Sequence, residues 1–309
     1  MQLLIPFAVP WSEAGRQAAA TLALPRLQSL LGRLDRVALD TADECSLSPP
    51  HERALARALG LAGGSGLVPW AAFQAAADGV DVADLAWGLA TPGHWHLGTE
   101  QVSLLDPAQL SLDETTSREL FQAVLPLFTG DGYLLRWGAP LRWYVAHESL
   151  AGLATASLDR VIGRNVDAWL GSDPAARRIR RLQSEVQMLL HTHPINERRV
   201  AHGLLPVNSF WISGCGAAQA VTGVAPVVDQ RLRGPALAED WAVWVKAWQA
   251  LDQGPVAELL AAVQHGTAVQ LTLCGERGAA TWTNAAAGPW QRLRRWLKPP
   301  ALWPTLESL

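Results

Sequence analysis

The stretch HTHPINERRVAHGLLPVNSFWISGCG, from His191 to Gly216, gathers three histidines, two arginines, two asparagines and a Gly-Cys-Gly turn into one run. Arg198 and Arg199 carry forked donors that match carboxylate or phosphate. Asn196 and Asn208 both donate and accept. Gly214 and Gly216 permit a tight turn whose backbone N–H groups face outward. Together these types describe an anion cradle, with His193 orienting the loop and Asn196, Arg198, Arg199, Asn208 and the Gly214 and Gly216 backbone as ligand-binding groups. A structural clasp is the other outcome, reached if the arginines spend their donors inside the protein. A G-x-G after a strand also arises for steric reasons alone.

The elements around this stretch must position it. Asp173 is expected to cap a helix that starts at Pro174, with Ala176, Ile179, Leu182, Val186 and Leu189 as its apolar stripe, and Pro194 stops it. INERRVAH makes one or two further helical turns ended by Gly203. VNSFWI is a β-rich run, and SGCGAAQAV is expected to turn from strand into helix.

Upstream, QLLIPFAVP reads as a short buried strand closed by Pro10, and RVALD as a second strand. SPPHERALARALGL enters a helix through Pro-Pro, and GGSG at 63–66 is expected to be a flexible joint. VADLAWGLATPGHWHLGTEQVSLLD reads as two strands around a Pro-Gly turn, with His94 and His96 on one face. SLDETTSRELFQAVLPLF is a helix with acids in its first turn, and GYLLRWGAPLRWYVAHE a hairpin around residues 138–140. Downstream, Leu237, Trp241, Trp244, Trp248 and Leu251 share a helix face. VAELLAAVQHG forms a second helix, AVQLTLCGERGAATWT a hairpin, and PWQRLRRWLKPP a short basic amphipathic helix.

At 309 residues, 49% hydrophobic and 17% charged, the chain can bury a large core. A single domain over 1–309 is expected, with a subdomain boundary near 150–172. Apolar runs break before the roughly 18 residues of a membrane span, and MQLLIPFAVPWSEAGR lacks the features of a signal peptide, so a cytoplasmic location without membrane contact is expected. Cys45, Cys215 and Cys274 are far apart with no C-x-x-C pair, against a disulfide framework or a thiolate zinc site.

A formal charge of -3 gives no global attraction for nucleic acid, so anion binding must come from local clusters. Two such clusters are RRIRR at 177–181 and RLRRWLK at 292–298. Fifteen tryptophans against two tyrosines and five phenylalanines point to core packing, or to a protein partner docked on the Trp-rich C-terminal half. Nucleic acid is not expected as a partner.

SEVQMLLHTHPINERRVAHGLLPVNSFWISGCG resembles the signature segment of cofactor-independent phosphoglycerate mutase-like proteins and RpfE-type regulatory proteins. Archaeal-type mutases carry H-P-x-N-x-x-R, then G-x-x-P-x-N, a hydrophobic strand and G-x-G. The matching positions are His193, Pro194, Asn196, Arg199, Gly203, Pro206, Asn208, Gly214 and Gly216. The resemblance implies an alkaline-phosphatase-like α/β fold, with a mixed or mostly parallel sheet flanked by helices.

It also implies two metal ions held by Asp and His at strand ends. This sequence departs there: LLIPFAVPWSEAG offers no acid before Glu13, and only His265 follows Gly216. The expectation is therefore a catalytically degenerate core with no catalytic residue, metal ligand or cofactor, serving in regulation by binding a small phosphorylated or carboxylated metabolite. The enzymatic alternative is a mutase or phosphohydrolase with a rearranged metal set drawn from His94, His96 and Asp106.

Overall fold

The computed structural model describes residues 1–82, 84–99 and 101–285, together with Trp303, Leu306 and Leu309. The chain divides into two compact units. Unit 1 comprises Met1–Cys45, Pro49–Gly60 and Thr222–Leu309, and unit 2 comprises Ser46–Ser48 and Leu61–Val221. The 150–172 stretch lies inside unit 2.

Unit 1 opens with β1 (Gln2–Ile5), α1 (Glu13–Ala20), α2 (Pro25–Leu31), β2 (Asp35–Thr41) and α3 (Pro50–Leu59). The chain then builds unit 2 from α4 (Trp70–Ala77), β3 (Ala86–Gly93), β4 (Trp95–Leu97), β5 (Val102–Leu104), α5 (Glu114–Gly130), β6 (Leu134–Ala139), β7 (Arg142–Ala146), α6 (Leu158–Val161), α7 (Pro174–His191), α8 (Pro194–Ala201) and β8 (Ser209–Ala217). It returns to unit 1 with β9 (Val227–Val228), α9 (Arg233–Leu237), α10 (Trp241–Gln253), α11 (Pro255–Gln264), β10 (Gln270–Cys274) and β11 (Gly278–Thr283). No helix among the described residues is long and apolar enough to cross a membrane.

The sheet of unit 1 runs β2-β11-β10-β1-β9, with β1 parallel to β9 and β10 while β11 runs antiparallel to both its neighbours. β1 and β10 are central and read as apolar runs because both faces of the sheet are covered. Leu3, Ile5, Leu271, Leu273 and Trp282 pack in one core with residues of α2, α10 and α11, and Leu4, Cys274 and Ala279 pack with Ala54 of α3.

Trp244 and Trp248 are fully buried in α10, and their ring N–H groups donate to the carbonyls of Phe7 (3.0 Å) and Ala8 (3.2 Å). Each indole thus fills volume and satisfies a carbonyl just after β1. Asp252, at the other end of α10, accepts from the Leu27 N–H (2.7 Å) and the Arg26 N–H (3.3 Å). That carboxylate caps α2, whose own preceding residue, Leu24, has no side chain able to do so.

Unit 2 is built on the antiparallel sheet β6-β7-β3-β8. Leu120, Val124 and Phe128 of α5 pack with Ile179, Leu182 and Val186 of α7 and with Phe210 and Ile212 of β8. Ala71, Ala72 and Ala75 of α4 pack with Trp87, Tyr144 and Ala146. The protein is thus a mixed α/β fold with a mixed sheet flanked by helices, and its second sheet is antiparallel throughout.

Three local expectations change. The Pro-Gly pair does not turn the chain, because Pro92 and Gly93 lie in β3 opposite Phe210 and Ser209, and the hairpin forms later between β4 and β5. The GGSG joint is tied down: the Gly66 N–H donates to the Ser48 hydroxyl (2.8 Å), and the Gly66 carbonyl accepts from Thr155 (3.0 Å). No helix follows the Gly-Cys-Gly stretch, since β8 continues through it to Ala217. The expected helix PWQRLRRWLKPP, and with it the 292–298 cluster, falls outside the described residues.

One polar cluster holds α4 to the sheet. Arg142 donates through Nε and Nη2 to the two oxygens of Asp78 (3.0 Å each), and the Tyr144 hydroxyl donates to Asp78 Oδ2 (2.5 Å). The Arg142 guanidinium holds the Asp78 carboxyl below the usual carboxylate range, while burial and Asp78 push the Tyr144 phenol up. A depressed carboxylate contributes stability that is present above its unfolded value and lost as pH falls through the folded one. Urea denaturation is therefore expected to show stability falling below about pH 4, and Asp78→Asn is expected to flatten that limb.

Candidate functional site

The His193–Gly216 segment occupies α8, the loop after it and β8. His193 is the N-cap of α8, and its Nδ1 accepts from the Ile195 N–H (3.3 Å). Pro194 fits the first helical position because no N–H is needed there. The helix ends on Gly203 at φ 71°, with the Gly203 N–H bonded to the Val200 carbonyl (2.9 Å) and the Leu204 N–H to the Arg199 carbonyl (2.9 Å). That pair of bonds is a Schellman cap, which a glycine at this position permits.

Asn196 is buried inside the turn that follows. Its Nδ2 donates to the carbonyls of Leu190 (2.9 Å) and Val207 (2.7 Å), and its Oδ1 accepts from the Val207 N–H (2.9 Å). Arg199 is also buried and donates to the carbonyls of Leu205 (Nε, 2.9 Å) and Leu110 (Nη2, 2.5 Å). Burial lowers the Arg199 guanidinium from its ordinary value, against the pull of the nearby Asp113 carboxylate. Asn208 carries the ladder past the end of β3: its Oδ1 accepts from the Trp95 N–H (2.7 Å) and its Nδ2 donates to the Trp95 carbonyl (2.9 Å).

Arg198 points the other way, pairing with Glu119 at 2.5 Å on the surface, where such a pair contributes little. The structure therefore brings Asn196 and Arg199 together at the loop, sets Asn208 beside them on Trp95, and separates Arg198 from the group. The side chains expected to face an anion are bonded instead to the protein, mostly to its main chain.

The glycines have a steric reason. Between Ser213 and Gly216 the strand carries one more residue than β3 carries between Leu89 and Trp87, so β8 is bulged there. Gly214 has φ 62°, and a Cβ on it would lie 2.8 Å from the Trp70 Cβ and 3.0 Å from the Ala71 N. A Cβ on Gly216 would lie 2.9 Å from the Pro69 Cβ. The start of α4 is packed onto the bulge, and this closeness is by itself a reason for both glycines.

The other candidates are also placed. His94 and His96 have ring centroids 6.4 Å apart, and His94 Nδ1 lies 2.8 Å from the Pro206 carbonyl oxygen. Asp106 accepts from the Ala108 N–H (3.0 Å) at the start of a short 3-10 turn. Among the described residues, no group of three or more His, Cys, Asp or Glu is arranged to hold a metal ion. In the arginine run, Arg181 is bonded to the Asp131 carboxylate and Arg178 to the Asp131 carbonyl (3.1 Å), which pins α7 to the turn after α5. In the Trp-rich half, Trp244, Trp248 and Trp282 are core residues.

Fold and segment together define a mixed α/β protein of two compact units. No protein-family model and no curated protein matches the sequence. Among solved structures the chain is similar to the cofactor-independent phosphoglycerate mutase from Thermoplasma acidophilum, at 13% identity and a TM-score of 0.37, with 94% of each chain covered. It is also similar to the PH0037 protein from Pyrococcus horikoshii, at 13% identity and a TM-score of 0.42, covering 95% of this chain and 92% of that one. Neither likeness transfers a residue role.

Gly214→Ala separates the steric reason from a ligand-binding one. It is expected to destabilise the fold by about 1–3 kcal/mol through left-handed strain and the contact with Trp70. Chemical denaturation without any ligand measures it, and an unchanged midpoint would contradict the packing account.

Proposed function

We propose that the protein is a catalytically degenerate, phosphoglycerate mutase-like protein that acts in regulation, with the 193–216 segment serving as the clasp of unit 2. The observation that carries this reading is the use of Asn196 and Arg199. At the positions that the sequence resemblance makes diagnostic, both side chains are buried, and the hydrogen bonds they make run to main-chain groups of residues 110, 190, 205 and 207.

A guanidinium that closes a loop in this way stabilises the unit while leaving few donors for a phosphate. The regulatory role is supported by the resemblance of the segment to RpfE-type proteins, and by the missing acid after the first strand, where the mutase pattern requires a metal ligand. Recognition of a small phosphorylated or carboxylated metabolite then belongs to another surface than this one.

Two measurements test the reading together. The purified chain, supplied with Mn2+, Mg2+ or Zn2+, is expected neither to interconvert 2- and 3-phosphoglycerate nor to release phosphate, and turnover above background would overturn it. Arg199→Ala removes hydrogen bonds from a charged donor to buried carbonyls, a loss of about 1.5–3 kcal/mol for each. The variant is expected to melt several degrees below the parent, with or without millimolar phosphoglycerate. An unchanged melting temperature, combined with loss of a phosphoglycerate-induced rise, would instead establish an anion cradle.

A further inference from the structure

Unit 1 holds a half-open cavity of about 240 Å³ just beyond β1 and β10. Val9 and Pro10 follow the carboxyl end of β1, and Glu276 follows that of β10. Parallel strands leave a crevice at that end because their connections diverge, so ligands of α/β sheets collect there. Ligand pockets start near about 300 Å³, which makes this a hollow for a small molecule.

The walls are apolar. Val9 and Pro10 form one part, Ala19 and Ala20 of α1 another, and Trp303 and Leu309 a third. Loose packing does not create the space: α1 already approaches so closely that a Cβ on Gly15 would lie 2.5 Å from the Pro10 Cβ. The hollow exists because α1 presents the short side chains Ala19 and Ala20 to it. Leu309 is seated firmly, its main-chain oxygen accepting from the N–H groups of Arg277 (2.9 Å) and Gly278 (2.7 Å).

Two lining side chains carry charge, Arg16 and Glu276. Glu276 already interacts within the protein. Arg16 is exposed and is held in place by one donor, Nη1, on the Trp11 carbonyl (2.5 Å). Its Nε and Nη2 are not used in any described bond. The Arg277 guanidinium, paired with Glu44, stacks 3.9 Å from the centroid of the Trp11 ring, so a second cation stands beside the same exposed indole.

We infer that this cavity is a binding site for a small monocarboxylate with an apolar body, the body lying among Val9, Pro10, Ala19 and Ala20 and the carboxylate on the Arg16 guanidinium. A carboxylate is the group that uses two parallel guanidinium donors, and apart from Arg16, the engaged Glu276 and the Trp11 indole the lining side chains are aliphatic or aromatic. The site lies in unit 1 and is independent of how the 193–216 segment is used.

Calorimetric titration of the full chain with sodium octanoate tests it, with octan-1-ol as the uncharged counterpart. Octanoate is expected to bind roughly tenfold or more tightly than octan-1-ol, the size of one charge-assisted contact. Arg16→Gln is expected to bring octanoate down to the level of the alcohol, and Ala20→Leu, which fills the hollow from an exposed helix position, to weaken both. Both variants are checked for an unchanged far-UV spectrum and melting temperature. No octanoate binding up to millimolar concentration, equal binding of acid and alcohol, or binding indifferent to both substitutions would overturn the proposal.

Discussion

The Asn196 carboxamide holds three main-chain groups at once, and unit 2 depends on that grip. The Val207 carbonyl and N–H lie in the loop before β8, outside any helix or ladder, while the Leu190 carbonyl belongs to the last turn of α7 and also accepts from the His193 N–H (3.3 Å). A buried polar group left unpaired costs about 1–3 kcal/mol. One side chain with two donors and an acceptor therefore offsets a penalty that would otherwise fall on the turn that aims β8 into the sheet. Arg199 extends the same device to Leu205 and to Leu110, at the end of the 3-10 turn Pro107–Leu110. Asn208 extends it to Trp95.

The same chemistry explains why the segment reads as a ligand site. An amide or a guanidinium offers identical donors to a phosphate oxygen and to a peptide carbonyl. What separates the two uses is whether a carbonyl already occupies the place. The Leu110 carbonyl is 89 positions from Arg199 in sequence, and Trp95 is 113 from Asn208. No local pattern announces such partners. The glycines are ambiguous in the same way, since a bulge packed under α4 and a loop that approaches a phosphate both exclude a Cβ.

Local grammar was legible where one element is self-contained. The Asp173 cap, Pro174 at the first helical position, the stripe from Ala176 to Val186 and the Gly203 stop stand in the structure as the spacing predicts. So does the burial of Trp244, Trp248 and Leu251 on one face of α10. Pairing between distant strands was not legible. Pro92-Gly93 carries strong turn chemistry, yet β8 supplies a partner opposite it and keeps it extended. The residues that follow β1 contain the proline and tryptophan that border the cavity, but its other walls depend on α1 and Leu309 arriving from elsewhere in the chain.

Native-state hydrogen exchange at the Val207 and Trp95 amides tests the central claim most directly, because each donates to a clasp side chain. If the clasp is an internal structural device, both protons exchange slowly in the ligand-free protein, and phosphoglycerate leaves their rates unchanged. Rapid exchange at both sites that slows only when phosphoglycerate is added would contradict the account, since the segment would then be ordered by an anion rather than by its own side chains.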